Sequence, residues 1–226
     1  PNVATRLGNL GLLYNKQGRY AEVEHLYKRS LSIFEKAFGP EHPNVATILG
    51  NLGHLYNEQG RYAEVEKLYK RSLSIFEKAF GPEHPNVATS LNNLASLYDK
   101  QGRYVGAEPL YKRSLAIREK ILGPKHLDVT LILNDLGLLY DNQGRYAEVE
   151  PLYKRSLAIF EKAFGSGHPD VAFSRNNLGL LYNKQGRYAE VEPLYKRSLA
   201  INEKILGSDH PDFALNLNNL AYLYVN

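Results

Sequence analysis

Residues 1–42 read PNVATRLGNLGLLYNKQGRYAEVEHLYKRSLSIFEKAFGPEH, and the chain repeats this stretch along its whole length. The opening residues return in related form every 42 residues, at Pro1, Pro43, Pro85, Leu127, Pro169 and Pro211. Five whole repeats and one partial repeat account for all 226 residues: 1–42, 43–84, 85–126, 127–168, 169–210 and 211–226. Such self-similarity is typical of stacked structural repeats, so we predict a single array over residues 1–226. We number repeat positions 1 to 42 by the first copy.

Each repeat is predicted to form two helices, because its apolar residues recur at helical spacing. Val3, Leu7 and Leu10 follow one another at three- and four-residue steps, which places them on one face of a first helix. A second apolar stripe follows Gly18 and ends before Gly39, and glycine accepts the backbone geometry that ends a helix. Strand-period alternation is absent from the sequence. We therefore predict an all-α protein in which neighbouring antiparallel helix pairs stack to bury their faces.

Three prolines interrupt this pattern a few residues into the second helix of their repeats. They are Pro109, Pro151 and Pro193, at repeat position 25. A proline so close to the start of a helix removes about one hydrogen bond and bends the axis slightly. We expect these helices to continue through the prolines.

The repeat resembles the tetratricopeptide repeat in the pattern Leu7-x2-Leu10-Gly11-x2-Tyr14 followed by Val23-x3-Tyr27. Its period of 42 exceeds the usual 34 by eight residues, about two helical turns, which we assign to a longer second helix. Glu35 stands where the family has its closing proline. The segments 89–95, 101–104 and 108–113, and the Gly-Pro-x-His that closes the first three repeats, resemble the kinesin light chain type.

That resemblance implies a right-handed superhelical solenoid with the first helices lining its concave side. It also implies a protein–protein interaction scaffold that holds extended peptide segments of partners in the concave groove. Repeat positions 5, 8, 9, 12, 15 and 16 would face that groove. The alternative is a structural spacer or self-associating array without a dedicated ligand.

Polar side chains dominate two of these groove positions. Repeat position 9 holds Asn9, Asn51, Asn93, Asp135, Asn177 and Asn219, and repeat position 8 adds Asn92, Asn134, Asn176 and Asn218. An amide both donates and accepts hydrogen bonds, so it can pair with a peptide backbone of any sequence. Packed helices lie roughly 8–10 Å apart and an extended peptide rises about 3.3 Å per residue. We therefore expect one amide for about every third peptide residue. A solvated polar face or hydrogen bonding between helices is the open alternative.

Specificity is expected from the groove positions that vary between repeats. Repeat positions 5 and 12 are mostly polar in the earlier repeats and become apolar in the later ones. The hypothesis is that five residues hold a bulky apolar anchor of the ligand: Leu131, Leu138, Phe173, Leu180 and Tyr222. Alternatively, these side chains pack between neighbouring helices.

Two further departures occur in adjacent repeats. Asp135 replaces an asparagine, and Arg175 replaces a leucine that the other copies keep at repeat position 7. We expect either an ion pair between Asp135 and Arg175 or a guanidinium that reaches solvent along its aliphatic stem.

Composition and spacing exclude several kinds of chemistry. The chain has no cysteine, which removes disulfides, thiolate nucleophiles and cysteine-zinc sites. Histidine recurs once per repeat before the first helix, a placement that predicts local capping because metal ligands must converge within about 2 Å of an ion. No recurrent histidine shares a face with the recurrent serines at repeat position 30 to form a nucleophilic relay. We predict no catalytic residue, no metal, no cofactor and no enzymatic activity.

The net charge and the hydropathy of the chain limit the classes of partner that it is expected to bind. The formal net charge is +4, and glutamates recur as faithfully as the Lys28-Arg29 pair and its copies. A mixed face of this kind does not predict nucleic-acid binding. No apolar run approaches the ~18 residues of a membrane span, and there is no leader-like start. We expect a cytoplasmic protein with a protein or peptide partner, and self-association through the exposed terminal helices.

Overall fold

The computed structural model describes residues 1–225, and the side chains of residues 1–224. Within residues 1–225 the chain forms eleven α-helices and no strand. Their bounds are α1 (Asn2–Lys16), α2 (Tyr20–Phe38), α3 (Pro43–Glu58), α4 (Tyr62–Phe80), α5 (Pro85–Lys100), α6 (Tyr104–Leu122), α7 (Leu127–Asn142), α8 (Tyr146–Phe164), α9 (Pro169–Lys184), α10 (Tyr188–Leu206) and α11 (Pro211–Val225). The second helices are 19 residues long, which agrees with the predicted extension.

The chain divides into two compact units, Pro1–Ile117 and Arg118–Asn226, which we call the N-terminal unit and the C-terminal unit. In the N-terminal unit α1 packs on α2, α2 on α3, α3 on α4 and α4 on α5. In the C-terminal unit α7 packs on α8, α8 on α9, α9 on α10 and α10 on α11. Packing between neighbours in sequence is the pattern predicted for stacked helix pairs.

A small residue at repeat position 11 lets the two helices of a repeat approach closely. A Cβ atom added to Gly53 would overlap Cε1 of Tyr69, whose ring is buried. The same approach joins Gly179 to Tyr195 in the C-terminal unit. The glycine thus makes room for an aromatic ring that fills the space between the helices.

The once-per-repeat histidines cap the first helices, as predicted. Nδ1 of His42 accepts a hydrogen bond from the backbone N–H of Asn44 at 3.1 Å, and the His42 ring stacks on Phe38 with centroids 4.4 Å apart. His84, His126, His168 and His210 cap their helices in the same way. The prediction for the prolines is also confirmed, because α6, α8 and α10 run without interruption through them.

A buried serine joins the two helices of most repeats. Ser72 Oγ donates a 2.8 Å hydrogen bond to the backbone carbonyl of Ala46, and equivalent bonds form at Ser30, Ser114 and Ser198. Ser156 is the exception, because no hydrogen-bond partner for its buried hydroxyl lies within the described residues. Thr130 replaces alanine there, and its own hydroxyl donates to Leu127.

Adjacent repeats are joined by a carboxylate that receives several donors. Glu24 of α2 accepts hydrogen bonds from the Tyr56 hydroxyl and the Arg61 guanidinium, each at 2.9 Å, and pairs with Lys28 at 2.6 Å. Lys28 foremost, with Tyr56 and Arg61, lowers the pKa of Glu24 to about 2. We call such a carboxylate, with the lysine, tyrosine and arginine around it, a clasp. Two more clasps surround carboxylates whose pKa is also about 2, Glu66 in the N-terminal unit and Glu150 in the C-terminal unit.

Arg175 follows neither of the two expectations, because it is buried and pairs with a carboxylate other than Asp135. Its guanidinium pairs with Glu161 at 2.7 Å and donates to the backbone carbonyl of Ser166 at 3.2 Å. The side chain is buried, so an unpaired charge would be costly there. Glu161 lies in the second helix of the preceding repeat, which places the ion pair between the expected repeats but not on Asp135.

Candidate functional site

The side of the first helices that faces away from their paired second helices carries repeat positions 5, 9 and 12. We call it the first-helix face. Packing of the helix pairs buries Leu49 and Leu52 and leaves Thr47 and His54 of α3 exposed. The local reason is the helical period, because residues two or five positions from a buried one point away from it.

In the N-terminal unit this face encloses a cavity of about 370 Å³. Its walls come from the three first helices and include Leu12, Asn15, His54 and the predicted residues Asn51 and Asn93. The second helices contribute Tyr27, Ser72 and Phe76. A smaller cavity of about 140 Å³ contains Asn9 and shares Leu12, Thr47 and Asn51 with the larger one. The structure thus brings three predicted amides, Asn9, Asn51 and Asn93, to one continuous concave surface.

These three amides are open to a ligand. Asn51 and Asn93 are half-buried and Asn9 is exposed. None of the three has a hydrogen-bond partner among residues 1–225. Asn15 adds a buried Oδ1 atom without a partner to the wall of the larger cavity. The resemblance placed repeat position 15 in the groove, but Asn15 was not named as a binding residue. The aromatic residues Tyr27 and Phe76 of the cavity wall were not predicted at all.

The remaining polar residues lie at several depths. Asn92, Asn134, Asp135 and Asn177 are half-buried, and Asn218 is exposed. The pKa of Tyr153 is raised by burial first, then by the charges of Asp141 and Asp135, so Asp135 lies near that ring. Asn219 Nδ2 donates to Oδ1 of the buried Asn176 at 2.9 Å, which joins α11 to α9. This pair follows the alternative that we left open, hydrogen bonding between helices.

The five predicted apolar residues all lie on the first-helix face of the C-terminal unit and are exposed: Leu131, Leu138, Phe173, Leu180 and Tyr222. Phe173 keeps 57% of its surface exposed, so it does not pack in the core. Leu131 lines a cavity of about 410 Å³ together with Phe160 and Phe164. Arg118, Asp128 and Asp170 form its polar edge. The other four do not line this cavity.

The recurrent lysines and three of the five recurrent arginines are engaged with carboxylates. Lys70 pairs with Glu66 at 2.7 Å, and Arg71 pairs with Glu35 at 2.8 Å. The second-helix side is therefore a mixed, ion-paired surface, as its composition indicated. The part of the chain that the structure describes holds no group of three metal-binding side chains. No helix among these residues is long and apolar enough to cross a membrane.

Comparison with known proteins shows which family has this architecture. The family model of the tetratricopeptide repeat matches residues 2–78, 46–120, 100–162, 128–204 and 170–225. A search of the curated proteins found no match. Among solved structures, BtubC (BKLC) from P. vanneervenii is similar with a TM-score of 0.81 and 27% identity, over 92% of this chain and 82% of BtubC.

Two other solved structures extend the comparison. One is a Podosopora anserina protein of nearly identical TPR-like repeats, named for the kinesin light chain. It has a TM-score of 0.77 and 26% identity, over 88% of this chain and 95% of that one. Aspartyl phosphate phosphatase F from Bacillus subtilis, with a TM-score of 0.75, shares 15% identity over 96% of this chain and 53% of its own, which shows the fold alone. The chain belongs to the tetratricopeptide repeat family, in its 42-residue, kinesin light chain-like form.

Proposed function

We propose that this protein is an interaction scaffold that holds an extended peptide segment of a partner on the first-helix face of the N-terminal unit. The observation that carries the proposal is the cavity of about 370 Å³ whose walls include Asn51 and Asn93 with unengaged amides. A concave site with an apolar floor and a few convergent polar groups is the usual form of a binding site.

The amides would act on the backbone of the peptide. Each amide can donate to a peptide carbonyl and accept from a peptide N–H, which holds a strand without reading its sequence. Asn9, Asn51 and Asn93 come from three successive first helices, so a peptide running across the helices would meet them in turn. Net gain per hydrogen bond is about 1 kcal/mol, so affinity depends on several such contacts together.

The cavity floor would select one side chain of the peptide. Leu12, Tyr27 and Phe76 supply apolar walls, and the buried Oδ1 of Asn15 offers an acceptor deeper in. An apolar side chain that carries a donor, as tyrosine and tryptophan do, fits both features. We propose such a side chain as the occupant of this cavity.

The C-terminal unit would bind an apolar anchor. Its five exposed apolar residues form a surface on which a bulky side chain can be buried, and the cavity beside Leu131 adds depth. Burial of apolar area contributes about 25 cal/mol per Å², without directional requirement.

A peptide-array screen with quantitative follow-up tests the proposal. The double variant Asn51→Ala with Asn93→Ala should lose most of the binding of extended peptides. The matched control is Asn2→Ala, which removes an exposed amide that lines neither cavity of this face. Equal loss in both variants, or full binding by the double variant, would contradict a clamp in this cavity.

Self-association is a second candidate, favoured by the apolar residues that α1 and α11 expose. Val3 of α1 is 55% exposed where Val45 is fully buried, and Leu217 of α11 is 48% exposed where Leu49 is 1% exposed. Sedimentation velocity over a concentration series tests it. Association that disappears in Leu217→Glu supports this candidate, and a concentration-independent monomer contradicts it.

A further inference from the structure

The repeats differ in charge at one point on their loop side. Lys78 of α4 pairs with Glu41 of the preceding loop at 2.7 Å, which joins repeat position 36 to position 41 of the repeat before. Two repeats later these positions hold Lys162 and Lys125. A charge reversal has therefore replaced an ion pair by two lysines at places whose side chains reach each other.

Both lysines line one cavity of the C-terminal unit. It has a volume of about 290 Å³ and is walled by Pro124, Lys125, Arg155, Ala158, Ile159 and Lys162. Among the residues that the structure describes, neither Lys125 nor Lys162 has an ion-pair partner. Both lysines are exposed, and the repulsion between their ammonium groups is offset when an anion lies between them.

Arg155 gives the cavity a fixed third cation. Its guanidinium pairs with Glu119 at 2.5 Å and donates to the backbone carbonyl of Pro124 at 2.7 Å, which holds it in place. Glu119 balances this charge, so the lysines leave the cavity with an excess of two positive charges. A dianion matches that excess better than a carboxylate with one charge does.

The rest of the cavity wall is apolar. Ala158 and Ile159 of α8 and Pro124 of the preceding loop supply it, with Ile159 buried and the other two exposed. A volume of about 290 Å³ exceeds the share of roughly 30 Å³ that one water takes in the liquid, so the cavity accommodates more than a small ion. The two lysines and the apolar part of the wall together fit a phosphate group attached to an apolar body.

We propose that this cavity is a binding site for a phosphorylated side chain of a protein partner, separate from the first-helix face. Lys125 and Lys162 would supply charge-assisted hydrogen bonds to the phosphate oxygens. The apolar body of the side chain would rest on Ala158 and Ile159. Because the site lies outside the proposed peptide groove, a test of this proposal is independent of the test of peptide binding in the groove.

Titration of the full chain with phenyl phosphate, followed by NMR, tests the site. Lys162→Gln should weaken binding by about tenfold, the loss expected for one charge-assisted hydrogen bond. The matched control Lys78→Gln removes the same charge at the same repeat position, where Glu41 is the partner, and should leave binding unchanged. Lys125→Glu restores the ion pair of the earlier repeat and should abolish binding without loss of thermal stability.

Three outcomes would overturn the proposal. One is the absence of saturable phenyl phosphate binding in the millimolar range, and another is equal weakening by Lys162→Gln and Lys78→Gln, which would indicate a general effect of net charge. The third is equal binding of benzoate or of inorganic phosphate, since the first lacks the second charge and the other lacks the apolar body.

Discussion

The N-terminal and C-terminal units are built from copies of one repeat, yet their first-helix faces differ. In the N-terminal unit the face is concave and polar, and Asn51 and Asn93 at the wall of its cavity have no hydrogen-bond partner among the described residues. In the C-terminal unit it is apolar, and the amides of Asn176 and Asn219 are bound to each other. Beneath both faces lie the same close glycine–tyrosine approaches and the same carboxylate clasps, and the serine bond between helices is absent only at Ser156 among the described residues. Substitution at a few exposed repeat positions thus changes the surface without altering the packing that supports it.

The largest expected effect comes from disrupting the close packing of the two helices within a repeat. Gly53→Val should lower the free energy of unfolding by about 3 kcal/mol, because its side chain would overlap the buried ring of Tyr69. Chemical denaturation measures this loss. Gly50→Ala in the same helix is the control, since its Cβ would lie 3.9 Å from Ser72 Oγ, an ordinary contact. A loss below 1 kcal/mol in Gly53→Val, about the cost of a tolerated core swap, would show that the close approach is not required.

The clasps should make both units sensitive to acid in the same pH range. The pKa of Glu66 and of Glu150 is lowered from 4.5 to about 2, so their contribution to stability is complete above pH 4.5 and is lost as the pH falls towards 2. Glu66→Gln and Glu150→Gln should each flatten the dependence of unfolding free energy on pH in this range. Glu203→Gln, at an exposed residue without an ion pair in the described chain, is the control. An unchanged slope in either clasp variant would contradict the assignment.

A smaller effect should distinguish the two units. Ser72→Ala removes a buried hydrogen bond to Ala46 and should lower the free energy of unfolding by about 1 kcal/mol. Ser156→Ala removes a hydroxyl that has no partner within the described chain, and it should change stability by less than about 0.5 kcal/mol or increase it. Thermal and urea unfolding of the two variants compare these positions directly. Equal losses would mean that Ser156 has a partner in solution.

The smallest effect on stability is expected on the apolar face. Phe173→Ala should leave the free energy of unfolding within about 0.5 kcal/mol, because most of the side chain is exposed. The same change should weaken the binding of peptides that carry a bulky apolar residue and leave the binding of polar peptides unchanged. Isothermal titration with the two peptide classes measures the difference, and an unchanged affinity for both would remove Phe173 from the anchor.

The predictable features depend on residues close together in sequence. The helix period, the glycines that end helices and the histidines that cap them act through neighbours within one or two turns. For that reason the helices, the caps at His42 and its copies, and continuity through Pro109 could be predicted. The resemblance to the family placed Phe173 and Leu131 on the groove side or between neighbouring helices, and the structure leaves both exposed.

Other features depend on distances between repeats, which the 42-residue pattern does not contain. Arg175 was expected either to pair with Asp135 or to reach solvent, but stacking brings it to Glu161 of the preceding second helix. The amides of repeat positions 8 and 9 have one pattern in the sequence and two states in the fold, open around Asn51 and mutually bonded at Asn219.

From the sequence alone follow the repeat, the all-α class, the family and the set of residues available at each repeat position. The tertiary structure decides which of those residues meet. Lys125 and Lys162 show the division, because their charges are visible in the sequence while the cavity that they share exists only after the loop has packed against α8. The physical reason is that helix formation depends on local spacing, whereas pairing of charges and amides depends on distances of a few ångströms that only packing sets.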